Sequence, residues 1–183
     1  MSQHLNSDEV RHTLSILVDN EPGVLARVIG LFSGRGYNIE SLTVAGVDEA
    51  NNLSRISIVT RGTPMVIEQV KAQLDRIVPV HLVRDLTQQG LHIERELALI
   101  KVVNKGESRI EALRIADTFR ANTLDSTLES FVFEVTGSSS KISAFVELMR
   151  SLGHVEVSRT GVSAISRGLN VDMPIRTQNE TQE

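Results

Sequence analysis

Residues His12 to Val18 alternate, with Leu14, Ile16 and Val18 on one face, which predicts a strand. The polar run Asp19-Asn20-Glu21-Pro22-Gly23 breaks it. From Val24 the period lengthens: Val24, Leu25, Val28, Ile29 and Phe32 fall on one helical face, with Pro22 placed as an early helical residue. Gly34 and Gly36 stop that helix. Tyr37 to Val47 is extended, Asp48 to Asn52 is a polar turn, and Leu53 to Thr60 is a further strand. Thr63-Pro64 reads as the N-cap and first residue of a second helix, whose apolar face is Val66 or Ile67, then Val70, Leu74 and Ile77. Val78 to Leu86 is the last strand of the block. The order β-α-β-β-α-β is the ferredoxin-like arrangement, with the first and third strands central and helices on one face only.

A second block follows the linker-like Gln88-Gln89-Gly90. Leu97 to Val103 predicts a strand. Ser108 and Glu111 form a capping-box pattern at the head of a helix carrying Ile110, Leu113, Ala116 and Phe119. Leu124 to Thr136 predicts two strands broken near Leu128-Glu129-Ser130. A helix with Ile142, Phe145, Val146, Met149 and Leu152 ends at Gly153, and Val155 to Ile165 is extended. The block repeats the first in outline, so the expected class is α+β with two ferredoxin-like βαββαβ domains. The expected boundaries are a first domain at 11–87, a linker at 88–95, a second domain at 96–170 and a flexible tail at 171–183.

Composition narrows the chemistry. Aromatic residues make up 3% of the 183, and the net charge is −4 at pH 7. Nucleic-acid binding through basic surfaces and stacking platforms is therefore not expected, nor is binding to an anionic membrane. With no cysteine, disulfides, thiolate metal sites and thiol nucleophiles are excluded. The five histidines, His4, His12, His81, His92 and His154, show no metal-binding spacing. Ser138-Ser139-Ser140-Lys141 reads as a helix start rather than a nucleophile–lysine pair, and no P-loop, G-x-S-x-G or G-x-G-x-x-G pattern occurs. The polar start lacks the apolar stretch of a secretory signal, and no run approaches membrane-spanning length, so the expected location is the cytoplasm. No catalytic residue and no metal ligand is expected.

The informative stretch is Asn20 to Leu25. A helix start leaves backbone N–H groups unpaired and carries partial positive charge, so a carboxylate docks there. Gly23 leaves the backbone approachable, and the N–H groups of Gly23, Val24 and Leu25 are candidate donors. Asn38, just past the Gly34–Gly36 stop, is expected near the same sheet end, where its amide and that of Asn20 would hold the charged ends of an amino acid. Spacing alone leaves this site and plain turn chemistry both open.

The run Asn20-Glu21-Pro22-Gly23-Val24-Leu25 resembles the entry pattern of ACT domains. Its continuation to Phe32, with Arg35 to Val44, Leu53-Ser54-Arg55, Leu91 to Leu97 and Ser163 to Gly168, is similar to the small subunits of acetolactate synthase across roughly residues 12–168. The resemblance implies an N-terminal ACT domain and a ferredoxin-like second domain. It implies a homodimer whose ACT sheets join edge to edge, with L-valine held at that seam by positions matching Asn20, Gly23, Val24, Leu25, Asn38 and Ile39. It implies a non-catalytic regulator of branched-chain amino-acid (valine and isoleucine) biosynthesis. Such a regulator activates a separate large catalytic subunit and confers feedback inhibition on it. Thiamine diphosphate, Mg and FAD would all belong to that large subunit, with no cofactor in this chain. Ala26 departs from the pattern: some relatives carry a serine there whose hydroxyl can reach the ligand. A stand-alone ACT-type amino-acid sensor with a different partner is the alternative.

Overall fold

The computed structural model describes residues 9–169 and 171. They divide into two units: one runs to Ile93 and takes the chain again from Ala164, and the other is Glu94–Ser163.

The first unit contains β1 (Val10–Asp19), α1 (Val24–Gly34), β2 (Ile39–Asp48), β3 (Leu53–Gly62), α2 (Pro64–Leu74) and β4 (Val80–Asp85). Its antiparallel sheet has the order β2-β3-β1-β4, so β1 and β3 are central, as the topology requires. Leu14, Ile16 and Val18 of β1 meet Val24, Val28 and Phe32 of α1 and Ile67, Val70 and Leu74 of α2 in one mostly aliphatic core. The alternation in β1 marks this face correctly, but Thr13, Ser15 and Leu17 of the other face are buried as well. Thr63 caps α2 by accepting a hydrogen bond from the Val66 N–H, with Pro64 in the first turn.

Two glycines frame α1. Gly23 has φ 87° and ψ −10°, and the Val24 N–H donates to the Glu21 carbonyl at 3.4 Å. These values fit a type II turn with Pro22 and Gly23 at its centre. A residue at positive φ cannot be helical, so α1 starts at Val24 and Pro22 lies in the turn, not in the helix. At the other end Gly36 has φ 71°, the Tyr37 N–H donates to Phe32 O and the Gly36 N–H to Ser33 O. This is a Schellman stop, completed by an edge-on contact of the Phe32 and Tyr37 rings at 6.3 Å.

The second unit repeats the pattern. Its elements are β5 (His92–Val103), α3 (Glu107–Phe119), β6 (Asn122–Ser126), β7 (Ser130–Gly137), α4 (Ser139–Arg150) and β8 (His154–Arg159). The sheet order is β6-β7-β5-β8, and the short β9 (Ser163–Ser166) pairs with β5 off that path. Three aromatic rings link the core, with Phe131 on Phe133 at 5.4 Å and Phe133 edge-on to Phe145 at 6.0 Å. Ser138 caps α4 through the Lys141 N–H, which confirms Ser138 to Lys141 as a helix start.

Three expectations change here. His92 to Arg95, placed in a linker, are the first residues of β5, because their alternation continues that of Leu97 to Val103. The helix expected to start at Ser108 starts at Glu107 behind Gly106 at φ 62°, with no side-chain cap. Its buried stripe is accordingly Ala112 and Ala116, with Ile115 and Phe119 packed beside it, while Ile110 and Leu113 are 58% and 42% exposed. The tail expected to be flexible falls, apart from Val171, outside the described residues.

Candidate strand–helix junction site

Asn20 leaves β1 with its backbone held and its side chain exposed. Its N–H donates to Asn52 O at 2.7 Å, and its carbonyl accepts from Asn52 Nδ2 at 3.2 Å. The turn then places Gly23 as the N-cap of α1, with no side chain capping the helix and no acidic residue in its first turn. Among the described residues, the N–H groups of Gly23 and Leu25 and that of Ala26 meet no acceptor. The Val24 N–H differs from expectation: it is used, weakly, to close the turn onto Glu21. A Cβ built on Gly23 would meet nothing within 4 Å, so its approach is open. The junction therefore presents uncompensated donors and the positive end of an 11-residue helix. Beside it, His81 Nε2 and Asp19 Oδ1 lie 2.6 Å apart, both partly exposed.

Asn38 is not there. Its carbonyl accepts from Thr60 Oγ1 at 2.6 Å, which ties it to the far end of β3. In the sheet register Ile39 stands opposite Thr60, whereas both Asp48 and Asp19 stand opposite Leu53. Asn20 and Gly23 thus sit at the end of the sheet where β2 finishes, and Asn38 and Ile39 at the end where it begins. The physical reason is the helix itself. Eleven residues at about 1.5 Å each carry the chain back along the sheet before β2 starts. Within one chain the six candidate residues form two groups, Asn20 to Leu25 and Asn38 with Ile39, at opposite ends.

β2 is one of the two edge strands of this sheet, and among the described residues it pairs with β3 alone. Its register shifts between Ile39 and Ser41 and again between Gly46 and Asp48. Val44 and Val47 on it are each 41% exposed.

Sequence reasoning passed over Asn52, which stands at φ 52° and grips Asn20. Its only signal was its place in a polar turn. A buried pair was also missed: His12 Nδ1 and Asp85 Oδ2 lie 2.8 Å apart, and Asp85 Oδ1 accepts from the Thr87 and Gln88 N–H groups. This pair fastens the end of β4 to the start of β1. Among the described residues no group of three or more histidines or carboxylates is placed to hold a metal ion, and no helix is long and apolar enough to cross a membrane.

A ferredoxin-like sheet whose first strand delivers an Asn-x-Pro-Gly turn to an uncapped helix defines an ACT-type domain, here joined to a second domain of the same topology. The chain matches the model of the AHAS small subunit-like ACT domain over residues 14–81 and that of the small subunit of acetolactate synthase over residues 95–168. It is 47% identical to a probable acetolactate synthase small subunit of Archaeoglobus fulgidus, covering 87% of this chain and 98% of the relative. It is 46% identical to the acetolactate synthase isozyme 3 small subunit of Escherichia coli, covering 87% and 97%. A crystal structure of the acetolactate synthase small subunit from Thermotoga maritima superposes with a TM-score of 0.77 at 38% identity, covering 88% of this chain and 99% of that one. The chain belongs to the acetolactate synthase small-subunit family.

Proposed function

We propose that this chain is the non-catalytic regulatory subunit of acetolactate synthase. It activates a separate large subunit and makes it sensitive to a branched-chain amino acid, with L-valine as effector. The reaction and its cofactors, thiamine diphosphate, Mg and FAD, belong to the large subunit. Residues 11–87 act as the effector-binding and dimerising domain, and the unit that β5 opens acts as the second regulatory domain.

The observation that carries the reading is the separation of the two asparagines along an open edge strand. A two-fold axis beside β2 would pair it antiparallel with β2 of a second copy. The start of one β2 then lies beside the end of the other. Asn38 and Ile39 of the second copy come to the junction formed by Asn20, Gly23, Val24 and Leu25 of the first, and the two-fold repeats this at the other end. The amino acid's carboxylate takes the Gly23 and Leu25 N–H groups, the asparagine amides orient its polar ends, and its branched side chain lies between Ile39 and the exposed Leu25. Ala26, exposed in the first helical turn, offers no hydroxyl, so effector binding rests on the backbone and the asparagines. A ligand bound between two copies acts on the arrangement of the dimer. It shifts the enzyme only if the inhibiting arrangement binds it better; a coupling of about 1–3 kcal/mol is enough for a typical response.

The test is calorimetric titration of the chain with L-valine, beside inhibition of the enzyme reconstituted with its large subunit. Asn20→Ala and Asn38→Ala should each abolish valine binding and inhibition while activation persists. Loss of activation and inhibition together, in folded variants, would make these asparagines part of the partner surface instead. Valine binding without any effect on a large subunit would favour a stand-alone sensor.

A further inference from the structure

The turn between β2 and β3 does more than join two strands. We propose that Asn52 is a positioning residue of the effector site, holding Asn20 so that its exposed amide faces the ligand; this rests on the effector reading above. The two residues clasp each other reciprocally. Asn20 N–H donates to Asn52 O at 2.7 Å, and Asn52 Nδ2 donates back to Asn20 O at 3.2 Å. Both backbone polar groups of Asn20 are thereby fixed, and only its side chain is left to turn.

The conformation of Asn52 supports a specific role for its side chain. It stands at φ 52°, where glycine would be the least strained choice and asparagine is tolerated. A turn needing only that backbone would be served by glycine; the amide adds the bond to Asn20. The turn is also stiff, since Asn51 N–H and Nδ2 donate to the Asp48 carboxylate at 3.1 and 2.6 Å and Asn52 N–H donates to Glu49 O at 3.3 Å. Asp48 ends the edge strand that the dimer reading pairs with a second copy. One short turn therefore connects that seam to Asn20.

The second unit supplies an internal comparison. At its equivalent junction Asn104 N–H donates to Glu129 O at 3.0 Å, matching the Asn20–Asn52 backbone bond. No reciprocal side-chain bond to the Asn104 carbonyl is present among the described residues. Instead Asn104 turns inward, donates through Nδ2 to Ser108 O at 3.1 Å, and is 5% exposed. Where the asparagine side chain fills its own junction there is no clasp; where it is left exposed, the clasp is present.

The experiment compares Asn52→Gly and Asn52→Ala with the wild type in the reconstituted enzyme, reading the valine concentration for half inhibition, the activation of the large subunit and the thermal midpoint. Asn52→Gly keeps the positive φ and removes only the amide. It should raise the half-inhibition concentration, by at most about the fivefold that one ordinary hydrogen bond is worth, with activation unchanged and the midpoint little moved, because relief of the positive φ offsets the lost bond. Asn52→Ala should weaken valine similarly and also lower the midpoint. If wild type responds to valine and Asn52→Gly responds identically, the positioning role is overturned and the effector reading stands. If wild type itself neither binds nor responds to valine, leucine or isoleucine, the effector reading falls and this role with it.

Discussion

Asn52 and Thr60 sit at opposite ends of one strand, and each holds the backbone of one candidate ligand asparagine, Asn20 by two bonds and Asn38 by one. Eight steps of extended chain separate them, roughly 26 Å at the usual rise. A free amino acid cannot bridge that span, so the asparagines share a ligand only across two copies of the chain.

The edge strand that would join those copies can be blocked without disturbing the core. Val44 is 41% exposed on β2 and stands opposite Ile56. A lysine on an edge strand disfavours pairing with another chain. Val44→Lys should shift the chain from dimer to monomer in sedimentation velocity and abolish valine binding, with the circular dichroism of the folded domain retained.

Two glycines should fail for different reasons. Gly23→Ala meets no atom within 4 Å but must hold φ 87°, so it should cost about 1–2 kcal/mol and weaken valine by displacing the helix start. Gly153→Ala would drive its Cβ into Val103 O, a clash with backbone that cannot turn away. It should destabilise the second domain far more and leave the junction at Gly23 unaltered. Urea unfolding of the two variants, with valine titration of each, separates the effects.

A surface ion pair gives a small test in pH. The Lys71 ammonium, 2.8 Å from the Glu68 carboxylate, holds that carboxyl below the ordinary glutamate value. A depressed folded value adds stability above the unfolded pKa of about 4.3, and that stability is lost as pH falls through the folded value. The carboxyl is exposed, so the effect on stability is slight. Lys71→Met should raise the Glu68 midpoint toward its ordinary value, as read by carboxyl NMR.

Much of this architecture is legible in the chain because it is set by local chemistry. Thr63-Pro64, Ser138 and the Gly34–Gly36 stop mark helix ends through bonds formed within a few residues, and each is found where the pattern puts it. The errors arise where a glycine at positive φ overrides a neighbour's propensity. Gly23 keeps Pro22 out of α1, and Gly106 puts Ser108 inside α3. The inward face of α3 was misjudged because small alanines, not Ile110 and Leu113, fit against the sheet. Placing Asn38 beside Asn20 failed for another reason. Closeness in sequence to a helix stop says nothing about which end of the sheet the helix has returned to, and only the strand register decides that.

The most direct test of the account is complementation in mixed dimers. Asn20→Ala and Asn38→Ala chains, each carrying a different affinity tag, are refolded together, and the doubly tagged dimer is titrated with L-valine. If each site takes Asn20 from one copy and Asn38 from the other, the mixed dimer has one site with both lesions and one intact. It should bind one valine per dimer at wild-type affinity, although neither parent dimer binds any. If both asparagines act within one chain, every site carries a lesion, and a mixed dimer as inert as its parents would contradict the account.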